Sequence, residues 1–247
     1  MCGRFTQHLS WEELQRLADL IGQPRNLQPR YNVAPTTMIE VIRPTSAGHE
    51  LVQMRWGFAP SWWKKPLREL PATFNARAET IAEKPMFRSA FASRRCIIPA
   101  SGFYEWTGAK GARTAHYFTA PDGRPLAFAG LCESCRDVES DAKIESATII
   151  VGPANGWMRR FHDRMPVILD WRDANAWMTG EDPGALLRAP PEEALQEWIV
   201  SPRVNRSGDA DDDPTLIAPS VADSDLIDRL GALSGEANHP SSKVVTP

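Results

Sequence analysis

The sequence predicts an α+β fold: a mainly antiparallel β-sheet or barrel-like core with short flanking helices. Three observations carry that expectation. Short β-rich runs recur along the chain between turn clusters, helical segments are few and brief, and no regular strand–helix–strand rhythm of a parallel sheet is present. The chain has 247 residues, 42% of them hydrophobic, enough for one sizeable core in a single domain plus a tail.

Each element has a local reason. Ser10-Trp11-Glu12-Glu13 reads as a capping box, opening a helix that buries Leu14, Leu17 and Ile21 and ends at Gly22 and Pro24. Met38 to Val41 and Leu51 to Trp56 read as strands joined through Pro44 to His49. Tyr117 to Thr119 and Leu126 to Phe128 flank Pro121-Asp122-Gly123 and predict a second hairpin. Ala147 to Val151 and Pro166 to Leu169 are further strands, and short helices are predicted over Asp173 to Met178, with Asp173 as cap, and over Pro191 to Val200. From Ala218 to Pro247 the composition turns to Ser, Asp, Pro and Ala with little periodicity, which predicts a flexible acidic tail.

Composition excludes several classes. No apolar run approaches the length of a membrane span, and no basic-then-apolar secretory signal opens the chain. The cysteines (Cys2, Cys96, Cys132, Cys135) are too few for a disulfide framework, which points to a reducing cytoplasm. Net charge is −3, but the segment from Ser207 onward holds eight acids against Arg229 and Lys243, so the first 206 residues carry +3. That mild excess suits a local basic groove rather than a non-specific nucleic-acid coat.

The second residue is the most chemically informative. If Met1 is trimmed ahead of a small side chain, the mature chain begins with Cys2, a 1,2-aminothiol. Its unperturbed amine and thiol titrate near ~8 and ~8.5. Such a pair can take an aldehyde through a Schiff base and close a thiazolidine ring. Polar residues also recur in short apolar-flanked segments: Tyr31-Asn32-Val33-Ala34-Pro35, Arg55 through Trp62, Phe74-Asn75-Ala76-Arg77-Ala78-Glu79, Arg95 through Trp106, and Phe161-His162-Asp163-Arg164-Met165-Pro166.

Together with Cys2-Gly3-Arg4, and with Val204-Asn205 and Asp213 to Ile217, this ordered set closely resembles the SOS response-associated peptidase (SRAP) family of abasic-site processing proteins. The resemblance runs from Cys2 to Ile217, implying an SRAP domain over residues 2–217 and leaving 218–247 as the tail. It implies mixed β-structure around a narrow basic groove, and a DNA-damage response role in which the N-terminal cysteine crosslinks to abasic sites in single-stranded DNA. It further implies single-turnover, lyase-like Schiff-base chemistry alongside the peptidase activity in the family's name, with no cofactor and no metal. The protein would be cytoplasmic, nucleoid-associated when bound to DNA, and a monomer suffices for the chemistry.

Four positions match the family's active site: Cys2, Asn75, Glu105 and His162. Glu105 lies in an aromatic run, where desolvation raises a carboxyl toward the range useful for proton transfer; a solvent-facing carboxylate is the commoner fate. A histidine can protonate the ring oxygen of a closed abasic sugar, although an isolated one is more often structural. Asn75 cannot usefully transfer protons and would orient the Cys2 amine; a turn-capping asparagine competes with that role. Arg4, Arg77 and Arg164 each flank one of these positions and are expected to bind phosphates, where a lone surface arginine would be merely solvated. Of Trp62 and Trp63, at least one is expected to face outward for base stacking, with Trp56 and Trp106 in the core.

Three rival functions remain. A cysteine peptidase would use Cys2 and His162 with Asn75 or Glu105, and would need the thiol but not the α-amine. A redox or metal module would use Cys132-x-x-Cys135, which has no second pair and no nearby histidine. A non-covalent single-strand binder would leave Cys2 and Glu105 without a task.

Overall fold

Strict in–out alternation on five strands builds the centre of this protein. The computed structural model describes residues 2–109, 111–208 and 211–220. In chain order its elements are β1 (Phe5–Gln7), α1 (Trp11–Ala18), β2 (Arg30–Val33), β3 (Met38–Thr45), β4 (Gly48–Trp56), β5 (Asn75–Arg77), α2 (Arg88–Ser93), β6 (Arg95–Ala100), β7 (Gly102–Thr107) and β8 (Thr114–Thr119). There follow β9 (Leu126–Arg136), β10 (Lys143–Pro153), β11 (Arg164–Pro166), β12 (Ile168–Leu169), α3 (Ala174–Thr179) and β13 (Gln196–Ile199). The α+β, mainly antiparallel expectation is met.

The pairings β4–β3, β3–β6, β6–β9 and β9–β10 are antiparallel, and a parallel β10–β4 pairing closes them into a barrel. Ile39, Val41, Met54, Trp56, Cys96, Ile98, Phe128, Ala147 and Ile149 point inward and form the buried lining. Their neighbours Ile42, Leu51, Ile97, Ala129, Leu131 and Ile150 point outward and are covered by Trp11 and Leu14 of α1, Ala90 of α2 and Trp177 of α3. Both faces are apolar because both are covered. Each large side chain so buried contributes about 1.5–3 kcal/mol. A second, wholly antiparallel sheet, β13-β8-β7-β1-β2, packs against one end of the barrel through Phe5, Phe103 and Phe118.

The sequence reading of α1 holds at its start and fails at its end. Ser10 Oγ accepts from Glu13 N at 3.1 Å. The helix stops at Asp19, in the left-handed region at φ 49°, and the freed Ile21 N donates to His49 O at 2.8 Å. Aspartate tolerates that conformation and the β3–β4 hairpin captures the backbone, so Ile21 lies outside the helix and 38% exposed. The β3–β4 hairpin itself is longer than expected, running from Met38↔Arg55 to Thr45↔Gly48.

The predicted hairpin around Pro121-Asp122-Gly123 does not form. Gly123, at φ 72°, turns the chain out of β8 in one sheet and into β9 in the barrel. The helix expected over Pro191 to Val200 is instead one 3₁₀ turn, Glu192–Ala194, followed by β13. The open edge of β8 takes that segment as a strand, Trp198 packing on Tyr117 at 5.3 Å and donating to Ile217 O. Tertiary pairing overrides local helical preference here. Over Asp173 to Met178 the helix forms as α3, but Asp173 makes no capping bond; Asp170 caps the preceding 3₁₀ turn, accepting from Arg172 N. The predicted tail falls almost wholly outside the described residues; Ser220 is still tied to β13 through its N–H to Ile199 O.

Candidate functional site

The site forms where the second sheet meets the barrel, and four distant segments each bring one side chain. Cys2 precedes β1, whose Phe5 pairs with Phe103 and whose Thr6 pairs with Gly102 of β7. This close approach needs glycine: a Cβ on Gly102 would lie 2.4 Å from the Tyr117 ring and 2.5 Å from Phe118 O. Three residues on, β7 carries Glu105. Asn75 opens β5, which adds to β10 in parallel through Ile149↔Asn75. His162 follows the turn at Met158–Arg160 and precedes β11.

These residues hold one another. Asn75 Nδ2 donates to the Cys2 carbonyl at 2.8 Å, while Asn75 Oδ1 is buried and accepts no hydrogen bond from a described residue. Burial pushes the Glu105 carboxyl above the ordinary carboxylate range, and the positive charge at the amino terminus and His162 draw it partly back. The Cys2 thiol is fully buried and pushed far up, first by desolvation and then by the neighbouring Glu105 carboxylate. His162 Nδ1 accepts from Arg164 N at 2.9 Å, so the neutral imidazole carries its proton on Nε2; Asp163 Oδ1 lies 2.8 Å from the same Nδ1. The predicted quartet is therefore one cluster.

The arginines differ from one another. Arg77 is exposed and makes no ion pair among the described residues, as a phosphate ligand requires. Arg164 pairs with Glu79. Arg4 is spent on structure: its Nη1 donates to Asn32 Oδ1 at 2.7 Å and to Val204 O at 2.8 Å, and its guanidinium lies 5.8 Å from the Trp106 ring centroid. Asn32, fully buried, in turn donates to Arg206 O at 2.7 Å. Asn32 was legible only as part of Tyr31-Asn32-Val33, with nothing in the sequence to say that it anchors Arg4.

Trp62 is 53% exposed beside the partly buried Trp63, ring centroids 6.2 Å apart. Their loop is anchored by Phe58 N on Thr73 O, close to the segment leading into Asn75. Trp106, expected in the core, is only partly buried. It donates Nε1–H to Asn205 Oδ1 at 2.7 Å and lines a groove of about 570 Å³ with Arg4, Arg113 and Pro202. It stands outward because it alternates with the buried Glu105 on β7.

Cys132 and Cys135 do not form a unit. They pair with Ala147 and Ile144 of β10 and, three apart on a strand, face opposite sides of the sheet. Among the described residues no group of three or more His, Cys, Asp and Glu side chains could hold a metal ion, and no helix is long and apolar enough to cross a membrane.

A sequence profile of the SOS response associated peptidase (SRAP) family matches residues 1–207. The chain is 34% identical over 213 residues to the abasic site processing protein YoaM of Bacillus subtilis, covering 83% of this chain and 93% of that protein. It is 32% identical over 189 residues to the abasic site processing protein YedK of Escherichia coli, covering 74% and 82%. A crystal structure of a Bacteroides thetaiotaomicron protein superposes with a TM-score of 0.77 at 21% identity, covering 89% of this chain and all of that one, which establishes the shared fold.

Proposed function

Since this chain belongs to the SOS response-associated peptidase family, we propose that it processes abasic sites in single-stranded DNA by linking to them covalently through Cys2. The observation that carries the reading is the convergence of Cys2, Asn75, Glu105 and His162, with the Cys2 backbone held by Asn75.

The geometry suggests an order of events. Once Met1 is removed, the Cys2 amine gives up a proton to Glu105, whose raised affinity suits it to carry protons near neutral pH. His162 Nε2–H faces the task of protonating the sugar's ring oxygen, so that the closed hemiacetal opens to an aldehyde. The amine adds to the aldehyde carbon, and the carbinolamine loses water to give an iminium. The Cys2 thiol then adds to the same carbon, its proton passing to Glu105, and the ring closes with one water released overall. Because burial keeps the thiol protonated, the amine reacts first and the thiol second. Asn75 Oδ1 is the acceptor available to the amine N–H or to a sugar hydroxyl. The finished ring removes the iminium that would otherwise invite β-elimination and strand scission. Single strands are preferred because splaying the sugar out costs least without a paired complement.

The peptidase reading fares worse on one observation. A thiol nucleophile for hydrolysis is activated by a depressed pKa, whereas burial pushes the Cys2 thiol the other way. Incubation with single-stranded and duplex oligonucleotides bearing one abasic site, resolved on a denaturing gel, tests the proposal. A resistant adduct favouring the single strand supports it, and peptide hydrolysis without an adduct refutes it.

A further inference from the structure

The thiol that the sequence pairs with Cys135 has a different partner in the fold. Cys132 and Cys96 both point into the barrel from the adjacent strands β9 and β6, and their thiols are in hydrogen-bonding contact. Between them on β9 stands Gly130, directly opposite Cys96. A Cβ there would come within 3.0 Å of Cys96 Sγ, so the missing side chain leaves room for sulfur. Met54 of β4 lines the same barrel mouth as Cys132, a cavity of about 280 Å³ rimmed by Arg43 and Arg94.

From this juxtaposition we infer that the barrel mouth is a binding site for a soft monovalent metal ion of the Cu(I) class, held by Cys96 and Cys132 with the Met54 thioether beside them. Thiolate and thioether sulfur select soft metals. Cys96 and Cys132 are diagonal neighbours across two strands, a placement that sets Cα atoms about 7–8 Å apart. A direct S–S bond favours about 4.4–6.8 Å, so an ion between the sulfurs fits the spacing better than a disulfide. Structural zinc needs four ligands, and the described residues gather no group of three His, Cys, Asp or Glu here.

Charge balances as well. One monovalent ion on two thiolates displaces two protons and leaves one net negative charge. Arg43, paired with Glu50 and Glu145, and Arg94, paired with Glu133, face that charge. The Cys132 thiol is already drawn down by its contact with Cys96 and, less strongly, by Arg43 and Arg94, while burial pushes Cys96 up. Loading therefore releases protons and tightens as pH rises.

The test titrates full-length protein with Cu(I) against a chromophoric chelator, anaerobically, and with Ag(I) as an air-stable surrogate. The site predicts one ion per chain and an ultraviolet thiolate-to-metal absorption. Cys132→Ala and Cys96→Ala should lose more than about 100-fold in affinity, beyond what outer-shell changes cost, and Met54→Leu about 10-fold. Cys135→Ala, Cys2→Ala and added Zn(II) should leave binding unchanged. Near-UV circular dichroism verifies that the variants fold. A second readout needs no variant: Ag(I) should protect Cys132 from alkylation in the native wild type while Cys135 alkylates as before. Equal binding by folded Cys132→Ala, loss of binding in Cys2→Ala, or a peroxide-driven Cys96–Cys132 disulfide with no metal uptake would each overturn the inference.

Discussion

Replacing Glu105 by Gln should make this protein more stable at neutral pH while removing its chemistry. The Glu105 carboxyl is 4% exposed on β7, and desolvation raises its pKa despite the opposing charges of the amino terminus and His162. A carboxyl whose folded pKa lies above its unfolded value binds protons more tightly in the folded state. Its favourable contribution is complete below the unfolded value, about pH 4.3, and is lost as pH climbs through the folded one. At neutral pH the ionised carboxylate is therefore a net cost to folding. Each unit of upward displacement is worth about 1.4 kcal/mol. For a domain of this size 1 kcal/mol shifts Tm by about 2–4 °C, so each unit corresponds to roughly 3–6 °C. The assay is thermal unfolding of wild type and Glu105→Gln across pH, with crosslinking to an abasic oligonucleotide measured on the same samples. Gln should raise Tm at neutral pH, the gain should vanish by about pH 4, and crosslinking should collapse throughout. A Glu105→Gln protein less stable than wild type at neutral pH would show that the carboxylate's contacts outweigh its desolvation, and would refute the reasoning.

Other expectations follow from the same geometry. Cys2→Ser keeps the amine but not the thiol, so it should give an adduct that borohydride traps but heat destroys, with strand cleavage instead of a stable link. Arg77→Ala should weaken binding to any single strand and reduce the slope of log affinity against log salt by roughly 0.7, with Tm unchanged, as measured by fluorescence anisotropy over a salt series. Arg4→Ala should instead cost about 1–3 kcal/mol of stability, because it leaves Asn32 Oδ1 and Val204 O without their donor; denaturant unfolding reads this. Trp62→Ala should cost about 1–3 kcal/mol of binding to single strands if bases stack on its exposed face, and almost nothing in stability.

What the sequence made legible depended on how local the physics was. The Ser10 capping box, the β3–β4 hairpin and the aromatic setting of Glu105 were readable because each is decided by neighbouring residues. The ordered motifs identified the quartet of Cys2, Asn75, Glu105 and His162, though only the fold shows Asn75 gripping the Cys2 carbonyl. Long-range pairing stayed hidden. Glu192 to Ile199 reads as helix until the free edge of β8 takes it as a strand. Arg4 reads as a phosphate fork until Asn32 and the Val204 carbonyl occupy it. Cys132 reads as half of a C-x-x-C motif, yet strand alternation turns it from Cys135 toward Cys96, a residue far away in sequence.

The central claim is that an N-terminal aminothiol, rather than a thiol alone, does the work. Intact mass spectrometry of the adduct with a single-stranded abasic oligonucleotide tests it most directly, on wild type, Cys2→Ala and a form extended ahead of Cys2. The account predicts a denaturation-resistant species equal to protein beginning at Cys2 plus DNA minus one water, absent from both variants. The same stable adduct from the extended form, in which the Cys2 amine is blocked, would contradict it.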